Sequence, residues 1–183
     1  MMGSSRHVHI VLLRGINLVR TNRIAMAELR AALEDAGFSD VRTYLQSGNV
    51  VLSAQDSADR VVDDIHALIK KRFAFDIAVL VRSRDEIAQV VRRNPLRKEA
   101  NDPKRYLVTF MSAAPPRELV QRLRAAAGAH ELLAVEGREV YSWHPGGVGR
   151  SPLWERLAAK VPGIIATTRN WATVTTLLSM ADA

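Results

Sequence analysis

Val8 to Leu13 is an apolar run broken only by His9 and closed by Arg14. A short run of this kind predicts a buried strand. The polar segment Arg14 to Arg23 follows, with Gly15, Asn17, Thr21 and Asn22. Met26, Leu29, Leu33 and Ala36 then recur at helical spacing, and Gly37 suits the left-handed residue that ends a helix. Val41 to Gln46 predicts a strand with Tyr44 and Gln46 on one face and Leu45 on the other. Ser47-Gly48-Asn49 is turn chemistry, and Val50 to Ser53 is the returning strand. Asp56 or Ser57 can cap a helix whose inner positions are Val61, Ile65, Leu68 and Ile69. Ile77 to Val81 predicts a fourth strand. Asp85 to Arg93 predicts a helix, and the aperiodic, proline-bearing Asn94 to Lys104 a linker.

The order then restarts. Tyr106 to Met111 alternates as a strand. Pro115 and Pro116 open a helix that runs through Ala126. Leu132 to Val135 and Val140 to Trp143 flank Glu136-Gly137 as a second hairpin. Ser151 caps a helix with Pro152 at its first position, ending near Lys160. Ile164 to Thr167 predicts a short strand. Trp171, Val174, Leu177 and Leu178 make one stripe of a last helix, Trp171 to Met180.

This order predicts an α+β chain of two ferredoxin-like (βαββαβ) lobes in tandem, with an extra C-terminal helix. The expected boundaries are a first lobe over 1–83, a helix and linker over 84–104, and a second lobe with the terminal helix over 105–183. Gly48 and Gly137 take equivalent hairpin places. The repeat is one of element order, with no residue-level repeat.

Composition narrows the chemistry. The chain has 183 residues, is 48% hydrophobic, and holds no cysteine, which excludes disulfides, thiolate catalysis and cysteine-ligated metals. No apolar stretch approaches the roughly 20 residues that span a bilayer. Val8 to Leu13 is too short for a signal-peptide core, so a cytoplasmic chain without membrane contact is the expectation. The net charge is +7. Residues 1–100 carry 16 basic and 12 acidic side chains and residues 101–183 carry 10 and 7, so the excess is spread rather than gathered. The tight basic clusters Lys70-Lys71-Arg72 and Arg92-Arg93 lie near predicted helix ends, where they complement the helix dipole.

Three polar segments stand out. In the first, Arg14, Asn17, Asn22 and Arg23 bring donors beside Gly15 to the loop before a helix, which suits a phosphate or carboxylate. The bland alternative is asparagine side chains bonding their own backbone. In the second, Gln46 and Asn49 flank the Gly48 turn, and Tyr44 could stack a ring. In the third, His144-Pro145-Gly146-Gly147-Val148-Gly149-Arg150-Ser151 is glycine-rich and precedes a helix. A Walker loop is excluded, because His144 falls on its first glycine and Arg150 replaces its lysine. An anion nest stays open there. Arg169 and Asn170 lie further on. The five histidines lack metal-ligand spacing, and His7 and His9 are placed at a frayed N-terminus; no metal and no cofactor is predicted.

The same segments carry a family resemblance. Leu13-Arg14-Gly15-Ile16-Asn17 with Asn22-Arg23 and Met26 resembles the signature of a bacterial family known as domain of unknown function 1697. So do Thr43-Tyr44-Leu45-Gln46-Ser47-Gly48-Asn49-Val50 and Thr167-Thr168-Arg169-Asn170-Trp171. Val19-Arg20 stands where the family pattern has a Gly-Gly pair, and Ala25 where it has proline. The resemblance implies a two-lobed α+β fold with ferredoxin-like halves, and no established activity.

Three functions compete. The leading expectation is a small anionic or nucleotide-like ligand in a cleft between lobes. Arg14, Asn17, Asn22, Arg23, Gln46 and Asn49 would come from the first lobe, and His144, Arg150, Arg169 and Asn170 from the second. His144 is the only neutral-pH base among them. The alternatives are nucleic-acid binding on a ferredoxin-like sheet, opposed by the 5% aromatic content, and a structural or partner-binding module.

Overall fold

The computed structural model describes residues 6–17 and 22–183. Val19-Arg20 and Thr21 therefore lie outside the described residues. The fold is α+β, with two four-stranded antiparallel sheets and six helices among the described residues. The chain divides into two compact units, residues 1–89 with 177–183, and residues 90–176.

In the first unit, β1 (His7–Leu13) lies between β3 (Asn49–Ala54) and β4 (Val79–Ser83), and β2 (Ser39–Tyr44) edges the sheet, giving the order β2-β3-β1-β4. Central strands are covered on both faces, and β1 shows it: Ile10 to Leu13 are at most 1% exposed. His9 belongs to this strand and is 4% exposed, which corrects the expectation of a frayed N-terminal histidine. Burial holds its imidazole below the ordinary value, against a backbone hydrogen bond at Asp56 that raises it. Helices α1 (Met26–Asp35) and α2 (Ala58–Phe73) supply Leu29, Leu33, Val61, Ile65 and Ile69 to a core with Val11, Leu13, Val50, Leu52, Val79 and Val81. The Ser57 hydroxyl caps α2 by accepting from the Arg60 N–H at 3.4 Å. Lys70, Lys71 and Arg72 fall in its last turn, as the dipole favours.

Two strand expectations need correction. The second strand ends at Tyr44, because Leu45 takes φ +57°. A left-handed residue breaks the two-residue alternation, so Tyr44 and Gln46 do not share a strand face. The fourth strand begins at Val79 rather than Ile77, although Ile77 stays buried.

In the second unit, β5 (Tyr106–Met111) lies between β7 (Glu139–Trp143) and β8 (Ala166–Asn170), with β6 (Leu132–Glu136) at the edge, giving β6-β7-β5-β8. Helices α4 (Arg117–Ala126) and α5 (Pro152–Ala158) add Leu119, Leu123, Leu153 and Leu157 to a core with Met111, Val140 and Ala166. The last strand starts two residues later than Ile164, because Ile164 bridges back to Val161. The chain passes between units within α3 (Arg84–Arg93) and again within α6 (Trp171–Asp182). No helix of the described residues is long and apolar enough to cross a membrane.

Candidate functional site

The polar loops of the first unit are built largely by asparagines bonding backbone. Asn17, at φ +53°, donates from Nδ2 to the Ile24 carbonyl at 2.9 Å and the Gln46 carbonyl at 2.8 Å. Its Oδ1 accepts from the Ile24 N–H at 2.9 Å. One side chain thus closes its own loop and ties it to the β2–β3 hairpin. Asn22, at φ +51°, donates to the Gly15 carbonyl at 3.2 Å. Asn49 is fully buried and donates to the Tyr44 carbonyl and the Ser47 hydroxyl at 2.9 and 3.0 Å. Asn17 and Asn22 take the αL region because a short amide side chain can replace the lost backbone bonds.

Gly48 completes this cluster. At φ +76° it brings its backbone so close that an added Cβ would lie 2.6 Å from Ile16 Cδ1 and 2.7 Å from Leu13 Cβ. The Leu13 N–H donates to its carbonyl at 2.9 Å. Arg23, Gln46 and Asn17 line a shallow depression of about 440 Å3 with Ile24 and Ala25. Arg14 is half-buried and makes no side-chain hydrogen bond or ion pair with another described residue.

The second unit holds a denser polar arrangement around His144, which is fully buried just beyond β7. Its Nδ1 lies 2.8 Å from Glu131 Oε1 and 3.1 Å from Ser151 Oγ. A carboxylate can only accept, so the imidazole donates from Nδ1. Nε2 then meets the Ser142 hydroxyl at 2.9 Å. Burial alone would raise the Glu131 carboxyl. Hydrogen bonds from Ser151, the Gly128 N–H and His144 outweigh that and hold it below the ordinary carboxylate value.

Ser142, His144 and Glu131 stand in the order of nucleophile, base and orienting carboxylate. Chemistry of that kind needs an open nucleophile, and Ser142 is 0% exposed on a central strand opposite Leu107. The arrangement is instead a clamp. The His144 N–H donates to the Arg105 carbonyl at 3.1 Å, and the Ser151 hydroxyl accepts the Trp154 N–H at 2.9 Å, capping α5. Arg105 in turn donates to the Pro145 carbonyl.

The glycine-rich loop after His144 borders two depressions. One, of about 520 Å3, is lined by His130, Glu131, Gly146, Gly147, Arg150 and Ser151 among others. Arg150 is exposed there. The other, of about 320 Å3, has polar walls from Lys104, Arg105, Thr168 and Asn170 and apolar ones from Leu107, Val148 and Trp154. Gly147 borders both. The Asn170 Oδ1 also accepts the Thr173 N–H at 2.9 Å, capping α6. Arg169 borders the smaller depression but is only 8% exposed, with its guanidinium bonded to the Thr167 hydroxyl and the Thr168 carbonyl, both at 2.8 Å. Burial lowers its pKa to about 10, which leaves it cationic at neutral pH.

Of the ten residues singled out from the sequence, six, Arg14 among them, lie in the first unit and four in the second. Asn17, Arg23 and Gln46 share the first unit's depression, with Asn22 and Asn49 inside the adjoining loops. His144 lies in the clamp of the second unit, Arg150 on the larger depression, and Arg169 and Asn170 on the smaller. Sequence reasoning missed Lys104, Arg105, Leu107, Trp154, Glu131 and Ser142. Ser142 had a local signal, standing two positions before His144 at the end of a predicted strand. Glu131 had none, being 13 residues away. The described residues hold no cluster of three metal-ligating side chains.

The chain matches the family model described as "Protein of unknown function (DUF1697)" over residues 7–141. It is similar in structure to conserved bacterial protein SP0830 from Streptococcus pneumoniae, with a TM-score of 0.77 and 21% sequence identity, covering 97% of this chain and 99% of that one. At that identity the likeness speaks for the fold. No functionally curated protein matches the chain.

Proposed function

The chain belongs to the family of proteins of unknown function DUF1697, so its relatives supply no activity, and we propose from geometry that its second unit binds a small anion. The site is the 320 Å3 depression beside the glycine-rich loop. One observation carries the reading: its lining includes the exposed cations Lys104 and Arg105 and no acidic residue, while the buried Arg169 guanidinium bonds Thr167 on the other face of β8. Three other depressions contain Asp56 and Asp64, Asp35, or Glu131, and the first unit's depression, which also lacks an acidic residue, offers the single cation Arg23. Arg105 pairs with Asp102 at 3.4 Å, but both side chains are about half exposed, and such a pair yields readily to a ligand. The Asn170 amide and Thr168 hydroxyl add polar groups to the wall.

Inorganic phosphate tests this. A ligand that binds only the folded state raises the melting temperature with concentration. At matched ionic strength, phosphate should stabilise the wild type, and Lys104→Ala/Arg105→Ala should need at least tenfold more phosphate for the same rise. Equal shifts in both proteins, or none in either, would overturn the proposal.

A second reading concerns the first unit, where Arg14 and Arg23 would serve an anion at the loop. It is favoured by the Arg14 side chain making no hydrogen bond or ion pair with another described residue. We further propose that each unit is ferredoxin-like. The matching orders β2-β3-β1-β4 and β6-β7-β5-β8, with a helix after the first and third strand of each, support this.

A further inference from the structure

We infer that the ligand of this depression is an anion joined to one planar ring system, directly as in an aryl phosphate or through a sugar as in a nucleoside monophosphate. The inference rests on the anion reading above. Its own ground is the apolar part of the lining. Trp154, Leu107 and Val148 line the same depression as its basic and amide groups, with Leu107 paired to Asn170 across β5 and β8. Val148 is a large apolar side chain left 37% exposed, and Trp154 is only partly buried against the core. A bare phosphate or a small carboxylate uses none of this surface. A ring covers it, and aromatic side chains accept planar partners of many kinds. At 320 Å3 the depression lies at the lower end of the roughly 300–1,000 Å3 of small-molecule sites, which admits one ring system and its anion rather than a dinucleotide.

The two walls are also fixed to one another. His144 bonds the Arg105 carbonyl through its backbone N–H and Ser151 through its ring, and Ser151 holds the Trp154 N–H. A fully buried histidine therefore links the backbone that carries the cation to the backbone that carries the ring. Such pre-organisation lowers the ordering cost of binding a ligand that touches both walls, and gives little to one that touches a single wall. The His144 clamp thus has a positioning role, which its burial allows and a catalytic role would not.

The experiment compares inorganic phosphate, phenyl phosphate and adenosine monophosphate by calorimetry on the intact chain. Phenyl phosphate and adenosine monophosphate should each bind at least tenfold more tightly than phosphate. Trp154→Phe should keep most of that preference and Trp154→Leu should lose it, with phosphate affinity little changed. The comparison within the wild type stands even if Trp154→Leu fails to fold. If all three ligands bind alike, the ring inference fails while the anion reading survives. If none binds, both fall. Preference for adenosine monophosphate with phenyl phosphate no better than phosphate would also overturn it, since sugar contacts rather than ring stacking would then decide.

Discussion

Glycines at positive φ are not equivalent, and two of them separate backbone strain from close packing. Gly37 has φ +96° and nothing within 4 Å of an added Cβ, whereas Gly48 has φ +76° and a Cβ there would meet Ile16 and Leu13. Gly37→Ala should cost only the left-handed penalty, about 1 kcal/mol. Gly48→Ala adds a clash with two buried side chains and should cost about 2–4 kcal/mol. Urea melts of both variants measure this, and equal midpoints would refute the packing argument. Glu131 gives a second residue-level expectation. Its folded pKa is depressed, so its stabilisation is fully present above the ordinary carboxylate value and is lost as pH falls through the folded value. Glu131→Gln should therefore lose stability at neutral pH and show a flatter decline on acidification than the wild type. Parallel pH-stability curves would sink that assignment.

At the level of elements, the sequence reading succeeded where local chemistry decides and failed where long-range contacts do. The Ser57 cap, the Ser151–Pro152 start and the Gly37 and Gly137 turns each follow from a few neighbouring residues. The early end of β2 did not, because Leu45 at φ +57° follows from the Asn49 side chain gripping the Tyr44 carbonyl across the hairpin. Site residues divide in the same way. Asparagine at 17, 22 and 49 is legible as special, but only the fold reveals that its amides are taken up by backbone. The basic pair Lys104-Arg105 is legible as charge, but its meeting with Trp154 depends on a strand and a helix distant in sequence. Asn170 shows both uses, since it caps α6 and lines the anion depression. Asn170→Asp keeps a good cap and adds a negative charge. It should leave the melting temperature within about 2 °C of wild type, a shift worth under about 0.5 kcal/mol. It should also weaken phosphate binding several-fold. Weakened binding with a large stability loss would mean that the substitution reports only on the helix.

For the whole molecule, the even division of charge has a counterpart in the path of the chain. The +7 leaves neither half strongly basic, so the anion argument rests on local geometry rather than on net charge. The chain begins in the first unit, leaves it within α3 and returns within α6, so residues 90–176 are in effect an insertion into the first unit. Residues 177–183 then matter beyond the helix they end. Leu177 is 1% exposed, and Asp182 accepts from Arg84, the first residue of α3, at 2.6 Å. That ion pair is nearly half exposed and screened by solvent, whereas burying Leu177 is worth about 1.5–3 kcal/mol. Ending the chain after Thr176 should therefore destabilise the first unit well beyond the effect of Asp182→Ala. Hydrogen exchange provides the reading. Amides of β4 and of residues 84–89 should exchange faster in the truncated chain, and those of β5 and β7 should change much less. Uniform acceleration across both units would show instead that the two unfold as a single cooperative body, and the insertion would then be one of chain path alone.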